Sequence, residues 1–134
     1  SGPAERDAFL GRCDILVCLL PDTADTRGAI RADTIAKLPP GAAVINAARG
    51  GHVVLEDLIA AIDSGQLSGA VLDVFETEPL PADHPVWLHP RITVTPHMAS
   101  LASRRARAYY VAEAIATFEA GGALRNLYDP DRGY

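Results

Sequence analysis

The 134-residue chain reads as an α/β protein, part of a doubly wound parallel sheet followed by a long C-terminal helix. Two observations predict this. Four short apolar runs, at residues 14–20, 42–45, 70–74 and 92–95, are separated by segments of helical period or by turn-rich loops. The runs are near-continuously apolar, as expected of strands buried on both faces, and their spacing fits parallel strands joined by right-handed crossovers.

The elements follow in order. Residues 14–20 form an apolar strand that stops at Pro21-Asp22-Thr23. A short helix over 33–38 is closed by Pro39-Pro40-Gly41, and 42–45 is the second strand. Leu55, Leu58, Ile59 and Ile62 fall on one helical face, and Gly65 supplies the C-terminal cap. The third strand, 70–74, runs into the polar cluster Asp73, Glu76, Thr77 and Glu78 before Pro79. Residues 80–90, rich in proline and histidine, read as a surface loop, and the fourth strand, 92–95, ends at Pro96-His97. A long helix over 100–120 carries Ala108, Val111, Ala112, Ile115 and Phe118 on one stripe and stops at Gly121-Gly122. Its small residues predict close packing against another surface. Residues 123–134 show no period and read as extended or irregular. There are no internal repeats.

Composition narrows the function. With 49% hydrophobic and 22% charged residues the chain is globular, and no apolar run is long enough to cross a bilayer. A net charge of -5 disfavours nucleic acid as a partner. Cys13 and Cys18, read as lying in the first strand at an odd separation, face opposite ways roughly 16 Å apart and cannot pair. Free cysteines fit a reducing cytosol. Residues 1–11 carry Glu5, Arg6 and Asp7 and no apolar segment of a secretory signal. They also lack a natural N-terminus's capping and hydrophobic pattern, which predicts a chain that begins partway through a larger protein.

In a parallel sheet of this kind ligands bind beyond the carboxyl ends of the strands. Those ends are Leu20-Pro21, Asn46 to Arg49, Asp73 to Glu78, and Pro96-His97. Taken alone, residues 44–51 read better as an ordinary turn with an exposed arginine than as a site. Their glycines would let the backbone come close to a bound group. The convergence is more specific, because three consecutive strand ends offer a cation, carboxylates and an imidazole. His97 is the candidate general acid or base. Glu78 is placed to favour its charged form. Arg49 can hold a carboxylate through two parallel hydrogen bonds and stabilise charge on a carbonyl oxygen. The set suits reduction of a 2-oxo acid.

Each residue has a plainer reading. His97 could cap a helix beginning at Ser100. Glu76 reads as a solvated charge, whereas a buried Asp73 would need partners. His52, His84 and His89 lack metal-ligand spacing and read as surface residues. Arg104, Arg105 and Arg107 read as a solvated helix face, and Trp87 as a packing anchor. With no G-x-S-x-G turn, a hydrolase built on Ser100 or Ser103 is not expected.

Asn46-Ala47-Ala48-Arg49-Gly50, Leu72-Asp73-Val74-Phe75-Glu76-Thr77-Glu78-Pro79-Leu80 and Thr95-Pro96-His97, in this order, resemble the D-2-hydroxyacid dehydrogenases. Leu19-Leu20-Pro21-Asp22-Thr23, Lys37-Leu38-Pro39, residues 85–90, Met98-Ala99 after His97 and the final Arg132-Gly133-Tyr134 resemble the glyoxylate/hydroxypyruvate reductase branch. The resemblance implies a Rossmann-like sheet with Arg49, Glu78 and His97 as the catalytic set. It places Asp73 on the nicotinamide amide and Ala47, Ala48 and Arg49 along the nicotinamide end. Leu20 and Pro21 would lie along the adenosine half, and His97, Met98, Ala99 and Ser100 would flank the ring. It further implies NADP or NAD as cofactor, NADPH being favoured, with a small 2-oxo or 2-hydroxy acid as substrate. A homodimer in the cytoplasm is the expected setting, with no nucleic acid, membrane or metal.

The chain departs from the family in lacking G-x-G-x-x-G, the turn whose amides receive the pyrophosphate. It also lacks the residue that selects NAD or NADP and a substrate domain. The expectation is therefore a C-terminal portion. Residues 1–99 would be a partial cofactor domain without its Gly-rich first unit, and 100–134 a helix and tail that pack on the missing domain. Such a portion should be inactive alone. The alternative is a dinucleotide-binding interaction module like the family's corepressors.

Overall fold

A computed structural model describes residues 3–100 and 102–131. The chain divides into two compact units, Ser1–Ala99 and Ser100–Tyr134. In the first unit the elements are α1 (Pro3–Leu10), β1 (Ile15–Cys18), α2 (Ala32–Ile35), β2 (Ala42–Asn46), α3 (Leu55–Asp63), β3 (Leu67–Leu72) and β4 (Ile92–Val94). All strand pairs are parallel, and their order in space, β1-β2-β3-β4, is their order in the chain.

Apolar side chains from one face of the sheet meet α2 and α3 in a single core that includes Ile35, Val44, Leu58, Ile62, Leu67 and Leu72. Burying each such side chain favours folding by about 1.5–3 kcal/mol. Leu58 and Ile62 are the buried positions of the predicted helical face. Gly65, at φ +83°, ends that helix in the left-handed conformation that glycine adopts without strain.

The structure corrects several expectations. The first strand is only four residues long, and Ile15 and Val17 are 59% and 48% exposed, not buried on both faces. Among the described residues β1 pairs only with β2, and a run of apolar letters does not show which face of a strand is covered. Cys13 precedes this strand and donates its thiol to the Phe9 carbonyl, so the two free cysteines do not share a strand. The third strand begins and ends earlier than the apolar run, because the polar Ser68 and Gly69 hide its start. The N-terminal helix α1 was not expected; Leu10 is its one buried apolar residue, too little to mark a face. Within the loop 80–90, Pro85–Leu88 forms a 3-10 turn.

The histidines are not simple surface residues. His52 is fully buried. The Nδ1 of His84 accepts the Val86 amide at 3.2 Å, and His89 sits between Asp63 and the Arg91 amide. Trp87 is half-exposed, with its indole N–H donated to the Pro81 carbonyl, and is not a buried anchor.

The second unit is built on α4 (Arg104–Glu119). Its N-cap is Ser103, whose hydroxyl accepts the Ala106 amide at 3.0 Å, so the helix starts later than expected and His97 does not cap it. Arg104, Arg105 and Arg107 are exposed as read, and so are Val111, Ile115 and Phe118 of the apolar stripe. Gly121, at φ +72°, follows the helix, and residues 123–131 are irregular. Leu101 and the Arg132-Gly133-Tyr134 motif lie outside the described residues. Among the described residues no helix is long and apolar enough to cross a membrane.

Candidate active site

The site is laid out on the carboxyl ends of β2, β3 and β4. Asn46, the last residue of β2, is buried, and its amide serves the turn that follows. Its nitrogen donates to the Arg49 carbonyl at 3.0 Å, and its oxygen accepts the Ala48 amide at 3.2 Å. The Ala48 methyl packs in the core, while Ala47 remains partly exposed. Arg49 is exposed, with one guanidinium nitrogen on the Ala48 carbonyl at 2.6 Å.

The close approach that Gly50 permits is to another stretch of main chain. A Cβ there would overlap the backbone of Phe75 and Glu76, so the turns after β2 and β3 touch main chain to main chain.

Asp73 directly follows β3. Its carboxylate accepts the Thr95 hydroxyl, the Met98 amide at 2.9 Å and the Ala99 amide at 2.8 Å. Its own carbonyl accepts the His97 amide at 2.9 Å. These bonds gather residues 95–99 into a turn in which His97 adopts a left-handed φ of 51°. Burial pushes the Asp73 carboxyl up, but the Thr95 hydroxyl, the two amides and the nearby His97 together hold it below its ordinary range.

Glu78 completes the arrangement. One oxygen accepts the Phe75 amide at 2.8 Å, and the other lies 2.7 Å from Nδ1 of His97. The His97 bond first, and then the Phe75 amide, hold the Glu78 carboxyl below the usual carboxylate value. Glu78 is thus an ionised acceptor, which assigns a proton to Nδ1 of His97. Nε2 has no hydrogen-bond partner among the described residues. Glu78, Trp87 and His97 border an apolar hollow of about 440 Å³.

Of the residues singled out from sequence, the structure brings Glu78 and His97 into contact and ties Asp73 to the backbone of His97, Met98 and Ala99. Arg49 stands one strand away, and no hydrogen bond joins it to the pair among the described residues. Glu76 is exposed, and among the described residues its carboxylate pairs only with Arg27, at 3.8 Å, as its solvated reading expects. Leu20 is half-exposed and Pro21 partly so, at the end of β1. Ser100 belongs to the second unit. Sequence reasoning missed Thr95 and His52. Nothing in a lone threonine before a proline marks it as a carboxylate's partner, and both partners of His52 are main-chain atoms.

A parallel sheet with polar groups gathered past its carboxyl ends, and a histidine held by an ionised carboxylate there, is the arrangement of a Rossmann-like unit with a candidate acid-base pair. The comparisons carry this to a family. The family model described as "D-isomer specific 2-hydroxyacid dehydrogenase, NAD binding domain" matches residues 2–99. The chain belongs to this family. It is 45% identical to an NADPH-dependent glyoxylate/hydroxypyruvate reductase from Sinorhizobium meliloti solved with NADP and sulfate, at a TM-score of 0.94, covering 100% of this chain and 44% of that one. A D-isomer specific 2-hydroxyacid dehydrogenase from Xanthobacter autotrophicus Py2, solved with NADPH and MES, is 46% identical at a TM-score of 0.91, over 99% of this chain and 55% of that one. A family member from Klebsiella pneumoniae 342 is 50% identical at 0.85, over 96% and 41%. The chain therefore spans about half the length of the structures it matches.

Proposed function

We propose that this chain carries the acid-base groups and part of the cofactor site of an NAD(P)H-dependent reductase that converts a 2-oxo acid, such as glyoxylate or hydroxypyruvate, to the D-2-hydroxy acid. The observation that carries the reading is the 2.7 Å contact between Glu78 and Nδ1 of His97. It holds the ring by Nδ1 and leaves Nε2 as the atom that passes a proton to the substrate oxygen. Arg49 pairs with the substrate carboxylate and stabilises the negative charge that develops on the carbonyl oxygen.

The residues present fit the nicotinamide end of a dinucleotide. The Asp73 carboxylate has about four acceptor positions and uses three, which leaves one for a carboxamide N–H. Leu20 and Pro21 offer an apolar ledge for the adenosine half. When bound, NAD(P)H supplies the hydride. NADP is favoured because two of the similar proteins were solved with NADP or NADPH. The pyrophosphate turn and the rest of the substrate pocket are proposed to come from a longer protein, so the chain alone would be inactive. Its two free thiols support a cytosolic setting, and a homodimer belongs to the same reading through family resemblance.

The test is oxidation of NADPH and NADH by the longer protein with hydroxypyruvate and with glyoxylate, alongside this chain alone. Turnover is expected from the longer protein only. Arg49→Ala and His97→Asn should each lower kcat/KM by about 10²–10⁴-fold. Wild-type turnover in both variants would refute the assigned roles, and binding of cofactor without turnover would favour the interaction-module reading.

A further inference from the structure

His52 takes no part in the chemistry above, yet it is 0% exposed and both of its ring nitrogens are engaged. Nδ1 lies 3.1 Å from the backbone nitrogen of Arg49, and Nε2 lies 3.0 Å from the carbonyl oxygen of Pro21. A backbone amide can only donate and a carbonyl can only accept. The neighbours therefore choose the tautomer: Nδ1 bears the lone pair and Nε2 the hydrogen. The neutral ring links the chain just beyond β1 to the chain just beyond β2.

Its two bonds are not equivalent. The Pro21 carbonyl also accepts the Thr26 hydroxyl at 2.6 Å, so it stays bonded without the ring. The Arg49 amide has no other acceptor among the described residues. The two segments are stitched independently by main-chain bonds, Gly28 to Gly51 at 2.8 Å, Ile30 to His52 at 2.9 Å and Val54 to Ile30 at 2.9 Å. Replacing the ring leaves that stitching in place.

We propose that His52 is a positioning residue for Arg49. The ring fixes the main chain from which the arginine projects, through the only acceptor that the Arg49 amide has among the described residues. The tie rests on geometry alone; its effect on substrate rests on the role proposed for Arg49.

Two substitutions separate the two bonds. The side-chain oxygen of asparagine stands where Nδ1 stands and can still accept the Arg49 amide, whereas the nitrogen of glutamine stands where Nε2 stands and can still donate to Pro21. Hydrogen exchange at the Arg49 amide should stay within about threefold of wild type in His52→Asn and quicken about tenfold in His52→Gln. In the longer protein the oxo-acid KM should rise about tenfold in His52→Gln and less than about threefold in His52→Asn, with the dinucleotide KM steady in both. A general structural role would move both variants alike. Equal exchange in the two variants, an unchanged oxo-acid KM in His52→Gln, or a hydrogen on Nδ1 in the ring's ¹⁵N spectrum would each overturn the proposal. A wild-type protein without turnover would remove the functional reading, while the exchange comparison would still decide the tie.

Discussion

Asn46 ends β2 and Asp73 follows β3, side by side in the sheet and only 1% and 4% exposed. Each satisfies its buried polar atoms by organising a turn, but over different spans. The Asn46 amide, both donor and acceptor, closes on residues two and three further along. The Asp73 carboxylate can only accept, so it collects donors from Thr95, Met98 and Ala99, 22 to 26 residues away. A neutral side chain suffices for a local turn. An ionised one recruits a distant segment, and here that segment carries His97.

This contrast can be broken most severely where the two turns touch. Gly50→Ala would drive a Cβ into the main chain of Phe75 and Glu76, which cannot move aside without shifting both turns. A loss of about 3 kcal/mol or more is expected, read as a lower urea midpoint. Asp73→Ala should follow at about 2–3 kcal/mol, since it strands three donors at once. Fast exchange at the Met98 and Ala99 amides, with the Ala48 amide still slow, would show that the two turns are held separately. An equal effect on Ala48 would mean that they form one unit.

Acid sharpens the same contrast. Asp73 and Glu78 are both held below their ordinary range. Each contributes stability that is fully present above the ordinary carboxylate value, about pH 4, and is lost as pH falls through the lower folded value. The amide signals of Phe75, Met98 and Ala99 should therefore shift and weaken below about pH 4, while that of Ala48 stays put because Asn46 has no proton to gain. Smallest is Asn46→Ala, at about 1 kcal/mol by thermal unfolding, with exchange at Met98 and Ala99 unchanged.

The same difference in span explains what could be read in advance. The turn after Asn46 is legible because its partners are its neighbours, and the amphipathic face of α3 and its Gly65 stop are legible for the same reason. That a buried Asp73 needs partners is also legible. Their identity is not, because it depends on β4 lying beside β3. The pairing of Glu78 with His97 was reached through strand order, the one non-local inference that alternating elements allow. His52 escaped because its partners are an amide and a carbonyl, which every residue possesses. The exposed face of β1 escaped because apolar runs record composition and not what covers a face.

The His97 turn, besides its bonds to Asp73, is continuous with β4, a three-residue strand that among the described residues pairs only with β3. Such an edge can detach while the central strands and their helices stay folded. On warming or in mild denaturant, the contact between Glu78 and His97 would therefore be lost at a lower threshold than the circular-dichroism signal of the helices. Storage life, protease nicking and tolerance of mutation at the site would then be governed by how tightly Ile92 seats in the core, and not by the stability of the core itself.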